Sequence, residues 1–360
     1  MKMNKFSLPR RFLTCIREGS WLTVSLSGSP VYRPPSKSFF HTSSWGHLLQ
    51  NGSVIVDVPL VDQGFYGSEI EQYKEELSTL GVMFEFKEAC EYIGEHFMSL
   101  ATYSTLTKGH VVSILNFIKY LREKYLPPDT FINSINDRRW LRTTQAEKSP
   151  QESVLLNSEW NAASQISDIP FIDHKHYGDE ILSFKTELKL LGVVFGFNKK
   201  YQLVVDNLRS PARLGCLSSD AFLLILKCIR HLSLFDKICR AVKDSECMKT
   251  INMGCKSPAE CFLLDPEWGC LLQVFHSFPL IDTNFYESNI LSYKNELQHL
   301  GVVVNFEEAT QAFVSVFKQQ TSNGSLNKDS VLSLLACYRK LKTTSFKFPS
   351  DLNSCIQKAK

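Results

Sequence analysis

Seven cysteines fall between Cys216 and Cys270, two histidines sit one residue apart at His174 and His176, and three arginines crowd the stretch INDRRWLRTTQ as Arg138, Arg139 and Arg142. Each group suggests a chemistry. Thiolates and imidazoles are zinc ligands, but the usual structural sites need ligand pairs at short spacing, and no C-x-x-C occurs among the eleven cysteines. Reduced, mostly buried thiols are therefore expected, since free cysteine packs as a small hydrophobe and nothing marks a secreted, oxidised scaffold. The arginines, interleaved with Trp140, form a candidate interaction surface. A second basic cluster follows at ACYRKLKTTSFKF.

The motifs of common catalysis are missing. No two of the seventeen glycines are separated by a single residue, so no G-x-G-x-x-G exists. Nor does the chain contain a Walker-type G-x-x-x-x-G-K-[ST], an H-E-x-x-H or a G-x-S-x-G. The expectation is a non-enzyme with no cofactor and no metal, which does not itself bind ATP.

What positions these residues is an internal repeat. YGSEIEQYKEELSTLGVMFEF, YGDEILSFKTELKLLGVVFGF and YESNILSYKNELQHLGVVVNF begin at Tyr66, Tyr177 and Tyr286, 111 and 109 residues apart. Pro59/Pro170/Pro279, Asp62/Asp173/Asp282, Lys74/Lys185/Lys294, Glu76/Glu187/Glu296 and Gly81/Gly192/Gly301 recur in register. Upstream, Trp45, Trp160 and Trp268 each follow a proline by ten residues. The pattern predicts an α+β fold of three tandem repeats of ~110 residues, each with short strands and about three helices, helix-rich overall. Units at residues 1–128 (the divergent one), 129–236 and 237–360 are expected.

Within a unit, Ile70, Tyr73, Leu77 and Leu80 share one helical face. Ser68, Asp179 and Ser288 stand where N-caps would, and Gly81, Gly192 and Gly301 where a left-handed C-cap is required. VMFEF and its relatives read as a strand. Helices follow over about 87–100 and 108–124, and again over about 198–208 and 218–234. The tryptophans, Phe184 and Leu188 are predicted core. The repeated Asp is expected to cap the turn before the helix and the repeated Tyr to anchor it. His174 and His176 correspond to Gln63 and Phe65 in the first copy and to Thr283 and Phe285 in the third, so the pair is not part of the unit.

With 40 basic and 37 acidic side chains the net charge is +3, which gives no general attraction to nucleic acid or anionic lipid. No window approaches a membrane span, and MKMNKFSLPRRFLTCIREGSWL lacks an apolar signal core. A nuclear or cytoplasmic chain with protein partners, no membrane and no nucleic acid is expected. Partner surfaces should lie on residues that differ between copies: the connections LATYSTLTKG and RSPARLG, and a basic helix around Arg138, Arg139 and Arg142.

SPQESVLLNSEW and SPAECFLLDPEW, each feeding into a Pro–Asp–Tyr–Gly/Glu…Lys…Glu-Leu…Leu-Gly-Val block, resemble the repeats of the plant NO VEIN family from about Phe12 to Leu352. That family consists of large, sacsin-related proteins carrying an ATPase domain of the histidine-kinase, DNA gyrase and heat-shock-protein-90 type. The resemblance implies a repeat region without that domain, taking part in protein interactions of a developmental regulator. The alternative it leaves open is an accessory segment of an ATPase whose nucleotide-binding domain lies outside this chain. No nucleotide-binding residue carries over.

Overall fold

A computed structural model describes residues 9–26, 28–40, 58–103, 106–123, 128–232, 235–322, 324 and 326–343. The chain is helix-rich with a few short antiparallel strands, an α+β composition. Trp45 and the residues after 343 lie outside the described residues.

Two compact units are formed, one by residues 1–155 with 170–195, the other by residues 156–169 with 196–360. The partition cuts through the second sequence copy. A sequence period says which residues correspond, whereas a compact unit says which residues pack, and the two have different phases here.

The first unit begins with α1 (Arg10–Glu18), then an antiparallel sheet of β1 (Leu22–Leu26), β2 (Ser29–Arg33) and β3 (Leu60–Val61), with β1 in the centre. Next come α2 (Lys74–Thr79), α3 (Phe86–Tyr103), α4 (Lys108–Glu123) and α5 (Asp129–Ile135), then a two-stranded hairpin of β4 (Leu141–Arg142) and β5 (Glu147–Lys148), and α6 (Lys185–Leu190). A small core gathers Leu22, Val24, Phe40, Val61, Leu77 and Val82. The main core joins Ile93 and Phe97 of α3 and Ile114, Ile118 and Leu121 of α4 to Phe131, Trp140, Tyr177, Ile181, Phe184 and Leu188. Apolar residues at three- and four-residue intervals give α4 its buried stripe.

The second unit holds α7 (Asn161–Ile166), α8 (Tyr201–Asp206), α9 (Ser219–His231), α10 (Phe235–Val242), the hairpin of β6 (Met248–Lys249) and β7 (Cys255–Lys256), α11 (Lys294–His299), α12 (Phe306–Ser322) and α13 (Lys328–Lys342). Its C-terminal core places Trp268, Leu271, Phe275 and Phe278 against Phe313 and Phe317 of α12 and Cys337 and Leu341 of α13.

The expected helices at 87–100 and 108–124 are found with ends within three residues of those anticipated, and that at 218–234 is present as α9. The one at 198–208 is shorter, as α8. The Ile70–Leu80 face is not one helix: a 3-10 turn over Ser68–Tyr73 hands over to α2. Ser68 and Asp179 do not cap. They are first residues of 3-10 turns that follow Gly67 and Gly178, at φ 67° and 71°. VMFEF, VVFGF and VVVNF contribute only single bridges, at Met83, Val194 and Val303.

The glycine expectation holds at all three places. Gly81, Gly192 and Gly301 adopt φ of 95°, 91° and 89°. In the first, Gly81 N–H donates to the Ser78 carbonyl and Val82 N–H to that of Leu77, closing the helix with the paired bonds of a Schellman motif. The same pair recurs as Gly192 to Lys189 with Val193 to Leu188, and as Gly301 to Gln298 with Val302 to Leu297. Trp140, Trp160 and Trp268 are buried, as are Phe184 and Leu188. Trp21 and Tyr73 are not, at 43% and 55% exposed.

Candidate interaction surface

The repeated polar residues serve the backbone. Asp62 accepts from Phe65 N–H; Asp173 from the N–H groups of Lys175 and His176; Asp282 from those of Asn284 and Phe285. Each caps one turn of chain, helical in the first two copies, with a side-chain acceptor. The tyrosine ending that turn reaches back to the preceding hairpin. Its hydroxyl accepts the backbone N–H of Thr23 (Tyr66, 2.9 Å), Arg142 (Tyr177, 3.0 Å) or Lys249 (Tyr286, 2.8 Å). The carbonyls of Thr23, Arg142 and Lys249 in turn accept from the N–H of Asp62, Asp173 and Asp282. Burial pushes the Tyr177 phenol up to about 12 and raises Tyr286 also, so both remain neutral.

Arg138, Arg139 and Arg142 do not lie on a helix. Helix α5 ends at Ile135, Arg138 and Arg139 occupy the turn that follows, and Arg142 belongs to β4. The helical expectation fails because Trp140 must turn inward: its Nε1 donates to the Ile135 carbonyl at 2.6 Å, and its ring meets Phe97 edge-on at 5.3 Å. Arg142 is engaged, its Nε 3.2 Å from Asp173. Arg139 is 4.0 Å from Glu152 across an exposed gap, and Arg138 is exposed. Arg142 is exposed too but is held close to Asp173, which leaves Arg138 and Arg139 as the outward charge without a close ion pair.

Of the two connections, RSPARLG is tied down. Arg209 Nε lies 3.0 Å from Asp168 while its other nitrogens donate to the carbonyls of Gln165 and Ser164, and Arg213 pairs with the same aspartate. In LATYSTLTKG, Tyr103 at the end of α3 is 87% exposed.

The cysteines depart from the expectation of reduced thiols at one place: Cys216 and Cys255 form a disulfide, across 39 residues and with Cα atoms 5.6 Å apart. It fastens the loop before α9 to β7, a pairing no sequence spacing announces. Cys90, Cys228, Cys247 and Cys261 are buried and free, and burial raises each to about 12. Cys270 and Cys337 lie 2.9 Å apart, sulfur to sulfur. The hydrogen bond between the two sulfurs, with the Lys340 ammonium close by, brings Cys270 down to about 7 and raises Cys337. Sequence inspection missed this pair because 67 residues separate its members.

His174 and His176 do not converge on a common point: His174 Nε2 is 3.6 Å from Asp179 and the His176 ring meets Tyr177 edge-on. Among the described residues no group of three or more His, Cys, Asp or Glu side chains is arranged to hold a metal ion, and no helix is long and apolar enough to cross a membrane. Comparison with family models, with curated proteins and with solved structures finds no match to this chain.

Proposed function

We propose that the chain is a non-catalytic interaction scaffold, a tandem array of three repeat units of the NO VEIN-like kind. The observation that carries this reading is the use of the repeated polar residues. Asp and Tyr of every copy bind backbone, and Glu187 and Glu296 bind arginines of a preceding helix. Residues kept for folding leave recognition to those that vary, as in other repeat proteins. The partner-facing candidate is the turn bearing Arg138 and Arg139, two exposed guanidiniums on a base fixed by buried Trp140. An acidic protein segment is the complementary partner, and the nucleus or cytoplasm the setting. The test is a pull-down from plant nuclear extract with wild type and the R138E/R139E variant at matched thermal stability. Loss of partners from the variant supports the reading; identical partner sets overturn the surface.

The second reading, an accessory segment of an ATPase with its nucleotide site elsewhere, rests on the same sequence resemblance. Both readings require that the chain alone give no heat with Mg-ATP in titration calorimetry, and saturable heat would overturn both.

A further inference from the structure

Four Ser-Pro dipeptides occur in the chain, at Ser29, Ser149, Ser210 and Ser257, and no Thr-Pro. All four lie among the described residues. A Ser-Pro step is the minimal substrate of a proline-directed protein kinase, and kinases of the cyclin-dependent class also favour Lys or Arg three residues after the serine. The fold treats the four serines differently.

Ser149 and Ser257 belong to the repeat and are buried. Each precedes a 3-10 turn that starts at its proline. Each hydroxyl meets the carboxylate three residues on, Glu152 at 3.3 Å or Glu260 at 2.9 Å. Ser29 is exposed, but its strand β2 is paired with β1 from Ser29 to Arg33, and the residue three places on is Tyr32.

Ser210 has neither obstacle. The same 3-10 turn follows it, over Pro211–Arg213, with an arginine in the place of the glutamate. Its hydroxyl caps no amide, and the residue is exposed. Its backbone sits at φ −65° and ψ 153°, the extended conformation that a following proline favours. The turn is set by hydrogen bonds from Arg209 N–H to the Ile166 carbonyl and from Arg213 N–H to the Ser210 carbonyl, both 2.9 Å. Arg213, three residues on, has a side chain 58% exposed.

We propose that Ser210 is a phosphorylation site for a proline-directed kinase that favours a basic third residue, and that Arg213 then moves from Asp168 to the phosphate. In the transfer, Ser210 Oγ bonds to the γ-phosphorus of kinase-held Mg-ATP. The bond from that phosphorus to the β,γ-bridging oxygen breaks, ADP leaves, and the hydroxyl proton passes to the kinase's catalytic aspartate. The product carries close to two negative charges, for which a guanidinium is the matching donor. Arg209 and Arg213 now share Asp168, but not equally. Arg209 is mostly withdrawn from solvent and also donates to the carbonyls of Gln165 and Ser164. Among the described residues the Arg213 side chain pairs with Asp168 alone, so Arg213 is the one released. The site adds regulation to the scaffold and is independent of Arg138 and Arg139.

The test incubates the full folded chain with a purified cyclin-dependent kinase and Mg-ATP and locates phosphate by peptide mass mapping. Incorporation is expected at Ser210 and not at Ser149 or Ser257, and S210A leaves the 209–213 turn unmodified. R213Q lowers the initial rate by roughly tenfold, with an unchanged circular dichroism spectrum. In the phosphorylated chain, a phosphorus-31 titration should place the second ionisation of the phosphate below its ordinary value of about 6. The phosphorylated R213Q chain, obtained by longer incubation, should return to that value. A folded chain left unmodified at Ser210, or modified as readily at Ser149 and Ser257, overturns the site. A phosphate titration indifferent to residue 213 overturns the transfer of Arg213.

Discussion

Arg230 and Glu296, 66 positions apart in sequence, meet at 2.7 Å across the flank of α9 and α11. The carboxylate is mostly withdrawn from solvent and the guanidinium lies at the rim. The hydrogen bond from Arg230, opposed by burial, holds the Glu296 carboxyl below the ordinary carboxylate range. Arg230→Ala leaves a mostly buried acceptor unmatched, at a cost of about 1–3 kcal/mol. Because the folded-state value is lowered, the stabilisation is fully present above the unfolded value of about 4.3 and is lost as pH falls through the folded one. Urea unfolding of wild type and variant should therefore begin to converge as pH falls below about 4.3 and meet only below the lowered folded-state value. A gap that stays constant into acid would contradict the pairing.

Tyr286→Phe removes only the hydroxyl that accepts Lys249 N–H at 2.8 Å. The expected loss is about 1–2 kcal/mol, a hydrogen bond plus the stranded donor. Hydrogen exchange at the Lys249 amide should accelerate more than at its neighbours. Uniform acceleration would indicate global destabilisation in place of a local contact.

Trp160 is fully buried, edge-on to Phe197 at 5.2 Å. Trp160→Ala should cost about 3–5 kcal/mol, read as a lowered midpoint in thermal unfolding. An unchanged midpoint would remove this tryptophan from the core.

Cys270 should react faster at neutral pH than the buried thiols. Its alkylation rate by iodoacetamide should rise through a midpoint near pH 7 and level off, since the thiolate is the nucleophile. Cys228 and Cys247, raised by burial to about 12, should stay inert in the folded chain. In Cys337→Ser, mass mapping of the alkylated chain should still find Cys270, with a shifted pH midpoint. A midpoint indifferent to residue 337 would sever the link between the two sulfurs.

What could be read from the sequence was whatever is decided within one turn of chain. Gly81, Gly192 and Gly301 are legible because a left-handed residue after an apolar run has few alternatives, and Asp62, Asp173 and Asp282 because a carboxylate before a tight turn finds amides within three residues. Ser68 misled for the same local reason: it has the chemistry of a cap but follows a glycine that already redirects the chain. The joints were invisible. Arg122 with Glu187, Cys216 with Cys255 and Cys270 with Cys337 are separated by 65, 39 and 67 residues, and no periodicity encodes a partner at that distance. Arg138, Arg139 and Arg142 read as one cluster, yet Trp140 between them faces inward and Arg142 is occupied by Asp173, so two of the three define the surface.

The main core of the first unit takes α3 and α4 from one sequence copy and the Trp140–Leu188 residues from the next. That offset has a bearing on how such a chain can change length. A deletion or duplication of one whole period would leave α3 and α4, or their counterparts, facing a hairpin and tyrosine turn of the matching sequence, wherever its endpoints fall. Loss of half a period instead strands a helix pair with nothing to receive it. For this core, the phase at which a cut falls should matter less than whether the excised piece is a whole sequence period.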